Sequence, residues 1–303
     1  MTQSSSNFER AYTSAAESAF DAIDRLGELF GLMGDAEAGD GLYELYTTLA
    51  ADLRNLETIE AIRSRLRRFE RDVYALVGEW VDIAIEIGNE HARKNSEAWG
   101  LEPVLILALN VPIIALARVA IESAFHAQAD RVIALLVSGG GDVLLGDGTT
   151  PGMLTPAPIM AELARWLVEV ENAVAESSFE ESLTRSNEPK EGWARQLIAT
   201  LDDWTTETCI NVHGQIRAFG VPFDLCCDPW TSARNYGFSN MRPPFHWWCR
   251  TVILLVNLSD GKDKATRLAE SMAKAAAERR ARGVLPRVQS FSASARVAAA
   301  QRP

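Results

Sequence analysis

Thiols and imidazoles are concentrated in one short stretch of this 303-residue chain. All four cysteines fall within 41 residues, together with two of the four histidines. Such side chains bind zinc, and they also act as nucleophile and base in covalent catalysis. A chain otherwise free of cysteine needs a local cause for this crowding. The stretch contains Cys209, His213, Cys226, Cys227, His246 and Cys249.

Two pairs in this stretch have a spacing that lets both members reach one ion. They are Cys209-x3-His213 and His246-x2-Cys249, with 32 residues between them. Two thiolates and two imidazoles complete the closed tetrahedral site of a structural zinc ion. The alternative is that both histidines bond to turn backbone while the cysteines pack as small apolar groups. The spacing therefore permits a structural zinc ion, but it does not establish that a cofactor is bound. A disulfide is not expected, because nothing indicates an oxidising compartment.

The same residues can be compared with catalytic motifs. A zinc deaminase requires His-x-Glu and Pro-Cys-x-x-Cys, and a serine hydrolase requires Gly-x-Ser-x-Gly; neither pattern occurs here. A nucleophilic pair of Cys209 with His213 or His246 remains geometrically possible. We therefore predict no catalytic residue.

A longer motif surrounds these residues between positions 202 and 251. Its parts, in chain order, are Asp202-Asp203-x-Thr205-Thr206, then Cys209, then His213-Gly214-Gln215, and finally Pro243-Pro244-Phe245-His246-Trp247-Trp248-Cys249-Arg250-Thr251. This order closely resembles the phage Mu F-like head morphogenesis family. In that family an Asp/Thr turn leads into a Cys or His and a Gly turn, and a PP-x-H-x-x-CR motif closes the segment. The chain differs from many members at Trp204, where they carry Arg, and at Thr251, where they carry Cys.

The resemblance implies a non-enzymatic minor head protein of a tailed phage or prophage. The alternative function is a phage-particle enzyme or an effector that uses the Cys/His/Asp cluster for hydrolysis or group transfer. Such a protein is expected in few copies in the capsid interior, or in the host cytoplasm during assembly, with portal or capsid proteins as partners. We expect the motif residues to hold a compact, turn-rich fold by capping turns, supplying a positive φ and stiffening the approach to His246. This structural set is Asp202, Asp203, Thr205, Thr206, Gly214, Pro243, Pro244 and Arg250.

Hydrophobic periodicity predicts the elements that position this motif. The expected fold class is α+β and predominantly α. The expected divisions are a helical domain at 1–137, a Gly/Pro-rich linker at 138–158, a Mu F-like module with a few strands at 159–260, and a basic, partly disordered helical tail at 261–303. Within the module we expect a helix from Trp193 to Leu201 and a buried strand from Thr251 to Val256.

The N-terminal domain shows several helical patterns. A first helix is expected from Phe8 to Met33, with Phe20 in its apolar stripe, and two apolar helical pieces are expected from Leu101 to Leu136. A long helix is expected to begin near Leu42. In it, the apolar residues from Ile59 to Ile87 alternate steps of three and four, the pattern of a coiled-coil seam. This helix either pairs with another chain, giving self-association, or folds back within one subunit.

Charge and hydropathy limit the partners. The net charge of −11 argues against non-specific nucleic-acid binding by the whole surface. Residues 261–303 nevertheless carry ten Lys or Arg against three Asp or Glu, so this tail could touch packaged DNA. Residues 1–12 lack the pattern of a signal peptide, so none is expected. The most apolar run, Val104 to Ala117, is shorter than the about 20 residues of a membrane span, and no membrane partner is expected.

Overall fold

A computed structural model of the chain describes residues 2–34, 42–55, 58–107, 112–138, 154, 156–199, 201, 205–225, 237–259 and 262–281. Its helices are α1 (Thr2–Gly34), α2 (Leu42–Arg54), α3 (Ile59–Ala98), α4 (Pro112–Val137), α5 (Ala157–Arg185), α6 (Glu207–Val212) and α7 (Lys262–Ala281). A 3₁₀ turn (Lys190–Gly192) precedes strand β1 (Trp193–Ile198), and the other strands are β2 (Ile216–Arg217) and β3 (Val252–Asn257). The expected class, α+β with a predominance of helix, is confirmed.

The described residues form two compact units whose boundaries differ from those expected from the sequence. One unit combines residues from 1–27, 82–114 and 164–290, and the other combines residues from 28–81 and 115–163. The start of α1 and the end of α3 thus belong with the sheet rather than with a separate N-terminal domain. The expected linker at 138–158 lies almost wholly outside the described residues.

The unit that contains the sheet needs these helices because its sheet is small and buried. The strand order is β2-β1-β3, with both pairings antiparallel. All six residues of β1 are buried, so helices must cover both faces. Tyr12 of α1 donates its hydroxyl hydrogen to Gln196 Oε1 at 2.8 Å, and Trp99 donates its indole N–H to the Leu255 carbonyl at 2.8 Å. The N-terminal helices therefore complete the core of the C-terminal module.

The expected helix from Trp193 to Leu201 is wrong, because Trp193 to Ile198 form the central strand of this sheet. A strand buried on both faces loses the alternation of apolar and polar residues that would identify it. The spacing of four residues between Trp193 and Leu197 then resembles the apolar spacing of a helix. The expected buried strand at Thr251 to Val256 is confirmed, with a shift of one residue, as β3.

Most residues of the heptad pattern that are buried pack against other parts of the same chain. The long helix expected from Leu42 is divided in two: α2 ends at Arg54, and α3 begins at Ile59. Ile59 at the start of the seam is 42% exposed, whereas five later members are buried. This burial favours the fold-back alternative, and self-association through this helix stays a prediction. The buried members are Leu66, Phe69, Val73, Trp80 and Ile87.

The first apolar piece after α3 is extended rather than helical, contrary to expectation. Val104 and Ile106 are buried while Leu105 and Leu107 are 64% and 68% exposed, an alternation typical of extended backbone. The side chain of Asn89 stabilises this conformation. Its Oδ1 accepts from the Ile106 N–H at 2.7 Å, and its Nδ2 donates to the Ile106 carbonyl at 3.0 Å. The second piece forms α4 as expected.

The terminal helices largely agree with expectation. α1 covers the range expected for the first helix, although Phe20 is 47% exposed and lies outside the buried stripe. α7 forms the basic helix expected after residue 261, with Ala265 and Ala276 buried, and the chain beyond Ala281 lies outside the described residues. Among the described helices, none is long and apolar enough to cross a membrane.

The second unit is held by contacts among α2, α3 and α4. The rings of Tyr46 and Phe69 meet edge to face at 5.0 Å, and the Tyr46 hydroxyl is hydrogen-bonded to Gln128. Arg65 and Asp52 form an ion pair between α3 and α2. These aromatic and polar contacts hold α2, α3 and α4 together in this unit.

Two glycines of α3 should respond oppositely to alanine. At Gly88, a Cβ would lie 2.6 Å from the Glu171 carbonyl oxygen and 3.0 Å from the Val174 Cβ, so α3 and α5 would have to separate. No described atom lies within 4 Å of a Cβ at Gly78. We expect Gly78→Ala to raise the free energy of unfolding by about 1 kcal/mol, and Gly88→Ala to lower it by about 1–3 kcal/mol. Denaturant unfolding measures both, and changes of the same sign would contradict this packing.

Candidate metal centre

The first half of the motif forms the short helix α6. Thr206 is its N-cap, with an extended backbone and a side-chain oxygen that accepts from the Cys209 N–H at 3.4 Å. This cap fixes the first turn and leaves Cys209 buried. The helix ends at Val212 with His213 as its C-cap, and Gly214 follows with a φ of +82°. Gly214 thus supplies the positive φ expected of it, next to α7, where a Cβ would lie 2.8 Å from the Met272 Cβ.

The second half of the motif leads into β3. The peptide between Pro243 and Pro244 is cis, and Phe245 follows with its side chain fully buried. The Cys249 N–H then donates to the His246 carbonyl at 3.3 Å, which closes a turn just before the strand. This turn directs the side chains of both residues into the core.

The two halves of the motif meet at Cys209, His246 and Cys249. The Cys209 Sγ lies 2.8 Å from the His246 Nε2 and 3.6 Å from the Cys249 Sγ. All three ligand atoms lie within 4.8 Å of one another, and all three residues are buried. Among the described residues, this is the group whose chemistry and spacing could hold a metal ion.

Neighbouring hydrogen bonds orient the three side chains. The His246 Nδ1 lies 2.8 Å from the Trp247 carbonyl and donates to it, so the proton of a neutral ring is on Nδ1. The Nε2 lone pair therefore points at the Cys209 sulfur and at the Thr206 hydroxyl, 2.7 Å away. Thr251 donates its hydroxyl hydrogen to the Cys209 Sγ at 3.1 Å. Thr251 thus supports the thiol by this hydrogen bond.

The two thiols differ in acidity. Burial raises the pKa of Cys209 well above its usual range, and the hydrogen bond with Cys249 raises it further. Burial also opposes ionisation of Cys249, but the hydrogen bond with Cys209 holds the pKa of Cys249 well below its usual range.

His213 lies outside this group, which corrects the expected four-ligand set. Its Nδ1 accepts a hydrogen bond from the Ala199 N–H at 3.0 Å, directly after β1. The spacing of Cys209 and His213 allows both to bind one ion. The imidazole instead accepts a hydrogen bond from the backbone directly after β1. Burial lowers the pKa of His213 to about 4, so the ring is neutral at pH 7.

The neutral His213 should make stability depend on pH. The unfolded chain binds a proton at this residue near pH 6.5 and the folded chain only near pH 4, so the fold loses stability as the pH falls through this window. The loss should reach about 3 kcal/mol. His213→Asn keeps an acceptor for the Ala199 N–H without the titrating group. We expect unfolding curves of this variant between pH 7 and 4 to lack that part of the wild-type slope, and equal slopes would contradict the assignment.

The other residues singled out from the sequence fall into two groups. Thr205 and Arg250 line the cavity beside the cluster, which has a volume of about 10 Å³ and room for one water-sized sphere. Other residues lie outside the described part of the chain. These are Asp202, Asp203, Trp204, Cys226 and Cys227.

Arg195 is an important residue that sequence reasoning missed. Its side chain is 1% exposed and lies 2.6 Å from Glu176 Oε1. It also donates to the backbone carbonyls of Met241, Val221 and Ala218, at 2.8, 2.6 and 3.2 Å. One guanidinium thus anchors both the segment that follows the first half of the motif and the segment that precedes its second half. The available signal was a single arginine within an otherwise mostly apolar run, which marks a buried charge that needs partners.

The chain was compared with protein-family models, with curated proteins and with solved structures, and no match was found in any of the three. The resemblance to Mu F-like proteins therefore stays a prediction from the motif residues.

Proposed function

We propose that this chain is a minor head protein of a tailed phage or prophage, with a structural role during head assembly and with portal or capsid proteins as partners. The order of residues in the 202–251 motif supports the family assignment. Within the protein, the Cys209, His246 and Cys249 side chains are suited to joining the two halves of this motif.

The observation that carries a structural role is the closed character of the cluster. Cys209 and Cys249 are 2% and 0% exposed, and the adjoining cavity measures about 10 Å³. Small-molecule sites usually measure about 300–1,000 Å³. Within the described part of the chain, a substrate has no comparable space next to these thiols. The geometry therefore favours a structural joint over the alternative of hydrolysis or group transfer.

The surface of α7 supports a further part of the proposal. Lys262, Arg267 and Lys274 are exposed on this helix, while the chain as a whole is acidic. A cationic helix on an acidic protein can contact DNA phosphates or an acidic protein surface while the rest of the molecule makes no such contact. Packaged DNA is the proposed partner of this helix, inside the capsid.

Deletion of the coding sequence from the phage or prophage that carries it tests the proposal. We expect normal cell lysis but a strong loss of infectious particles, and restoration by the wild-type gene supplied in trans. Quantitative mass spectrometry of purified wild-type virions should find the chain in few copies relative to the major capsid protein. Fully infectious virions that lack the chain would overturn the proposal.

A further inference from the structure

We propose that Cys209, His246 and Cys249 bind one Zn²⁺ ion through Sγ, Nε2 and Sγ. Three protein ligands leave one position of a tetrahedral ion for an exogenous ligand. This inference goes beyond the structural role proposed above and does not depend on it, because a buried zinc centre can stabilise a module of any function.

The distances between the ligand atoms suit zinc. With Zn–S near 2.3 Å and Zn–N near 2.0 Å, tetrahedral geometry places two sulfurs about 3.8 Å apart and a sulfur and nitrogen about 3.5 Å apart. The observed separation of the Cys209 and Cys249 sulfurs is 3.6 Å. The His246 Nε2 lies 2.8 Å from the Cys209 Sγ, so this contact must lengthen to admit the ion.

The hydrogen bonding at His246 also points to a cation. Because Nδ1 donates to the Trp247 carbonyl, the neutral ring offers a single lone pair at Nε2. Two groups approach that lone pair, the Thr206 hydroxyl at 2.7 Å and the Cys209 thiol at 2.8 Å. One lone pair cannot accept fully from both. A metal ion uses the lone pair once, and the bond from Nδ1 to a backbone carbonyl is the usual outer support of a zinc-binding histidine.

The charge balance of the buried cluster favours a divalent ion. Two thiolates in a fully buried position are unstable unless a positive charge compensates them. Zn²⁺ with two thiolates and a neutral imidazole forms a centre of zero net charge. The thiol protons are released to solvent as the two Zn–S bonds form. The hydroxyl of Thr251 remains a donor to the Cys209 sulfur.

The test uses the full-length chain, purified under reducing conditions without chelators. We expect one zinc per chain by elemental analysis. After exchange for Co²⁺, we expect a thiolate-to-cobalt charge-transfer band and the intense visible bands of a four-coordinate ion. Cys249→Ser should lower the affinity for Co²⁺ by at least about tenfold. His213→Asn is the matched control, because it removes a histidine of the same module and should still bind one ion.

Three results would overturn the site. They are a wild-type chain that takes up neither metal, a His213→Asn variant that loses the metal as fully as Cys249→Ser, and a chain purified under these conditions with a Cys209–Cys249 disulfide in place of the ion. If Cys249→Ser does not fold, the Co²⁺ spectrum of the wild type still decides the matter. Failure of the site would leave the virion experiment unaffected, so the two proposals can fail separately.

Discussion

Replacing Arg195 with methionine should lower the free energy of unfolding by about 3–5 kcal/mol, because a buried ion pair loses one partner. The guanidinium is 1% exposed and binds Glu176 together with three backbone carbonyls. Methionine fills much of the volume but donates no hydrogen bond, so Glu176 keeps only its contact with Arg242. Denaturant unfolding followed by circular dichroism gives the change in free energy.

The control for this experiment is Arg217, which pairs with the β1 position of Arg195 across the sheet. Its ion pair is with Asp224, whose side chain is 83% exposed. Exposed pairs contribute about 1 kcal/mol or less. Arg217→Met should therefore have a small effect. Equal losses for the two variants would show that Arg195 is not the buried anchor described above.

Truncating Phe245 to alanine should cost about 3–5 kcal/mol, because its ring is fully buried and the space cannot easily be refilled. The ring meets Phe223 edge to face at 6.3 Å in the same core cluster that contains Cys209 and Cys249. Since Phe245 directly precedes His246, its loss should also loosen the approach of the closing segment to α6.

Phe219 provides the comparison for Phe245. It packs against the same cluster but is only partly buried. Phe219→Ala should therefore lose clearly less stability than Phe245→Ala in the same unfolding assay. A greater loss for Phe219 would indicate that the closing segment is less tightly packed than its burial implies.

The sequence predicts elements well where local pattern and burial agree. β3 is a short β-branched run and α1 has a continuous helical period, so both follow from periodicity. β1 does not, because its buried Arg195 and Gln196 depend on partners distant in the chain. The same holds for the extended piece at 101–107, whose conformation depends on the side chain of Asn89. In these cases tertiary contacts override the local pattern.

The candidate site shows the same limit. Close spacing identified Cys209, His246 and Cys249 as residues able to meet, and the structure brings them together. Spacing could not exclude His213, because its partner is the Ala199 N–H, which the expected helix would have placed elsewhere. Thr251 was noted only as a departure from the Mu F-like pattern. Its hydrogen bond to Cys209 becomes evident only once the closing segment is folded.

Hydrogen exchange tests most directly whether the cluster joins the two halves of the motif. In the native chain, the amides of Ile210 and His213 donate hydrogen bonds to carbonyls in the first turns of α6. The amide of Cys249 donates to the His246 carbonyl and closes the turn that precedes β3. For Cys249→Ala, we predict that the amides of α6 exchange at least about tenfold faster, and that those of the closing segment do so too. The sequence of α6 is the same in this variant, so faster exchange there would come from the lost contact with Cys249. Wild-type protection of α6 in this variant, with faster exchange confined to 243–251, would contradict the account.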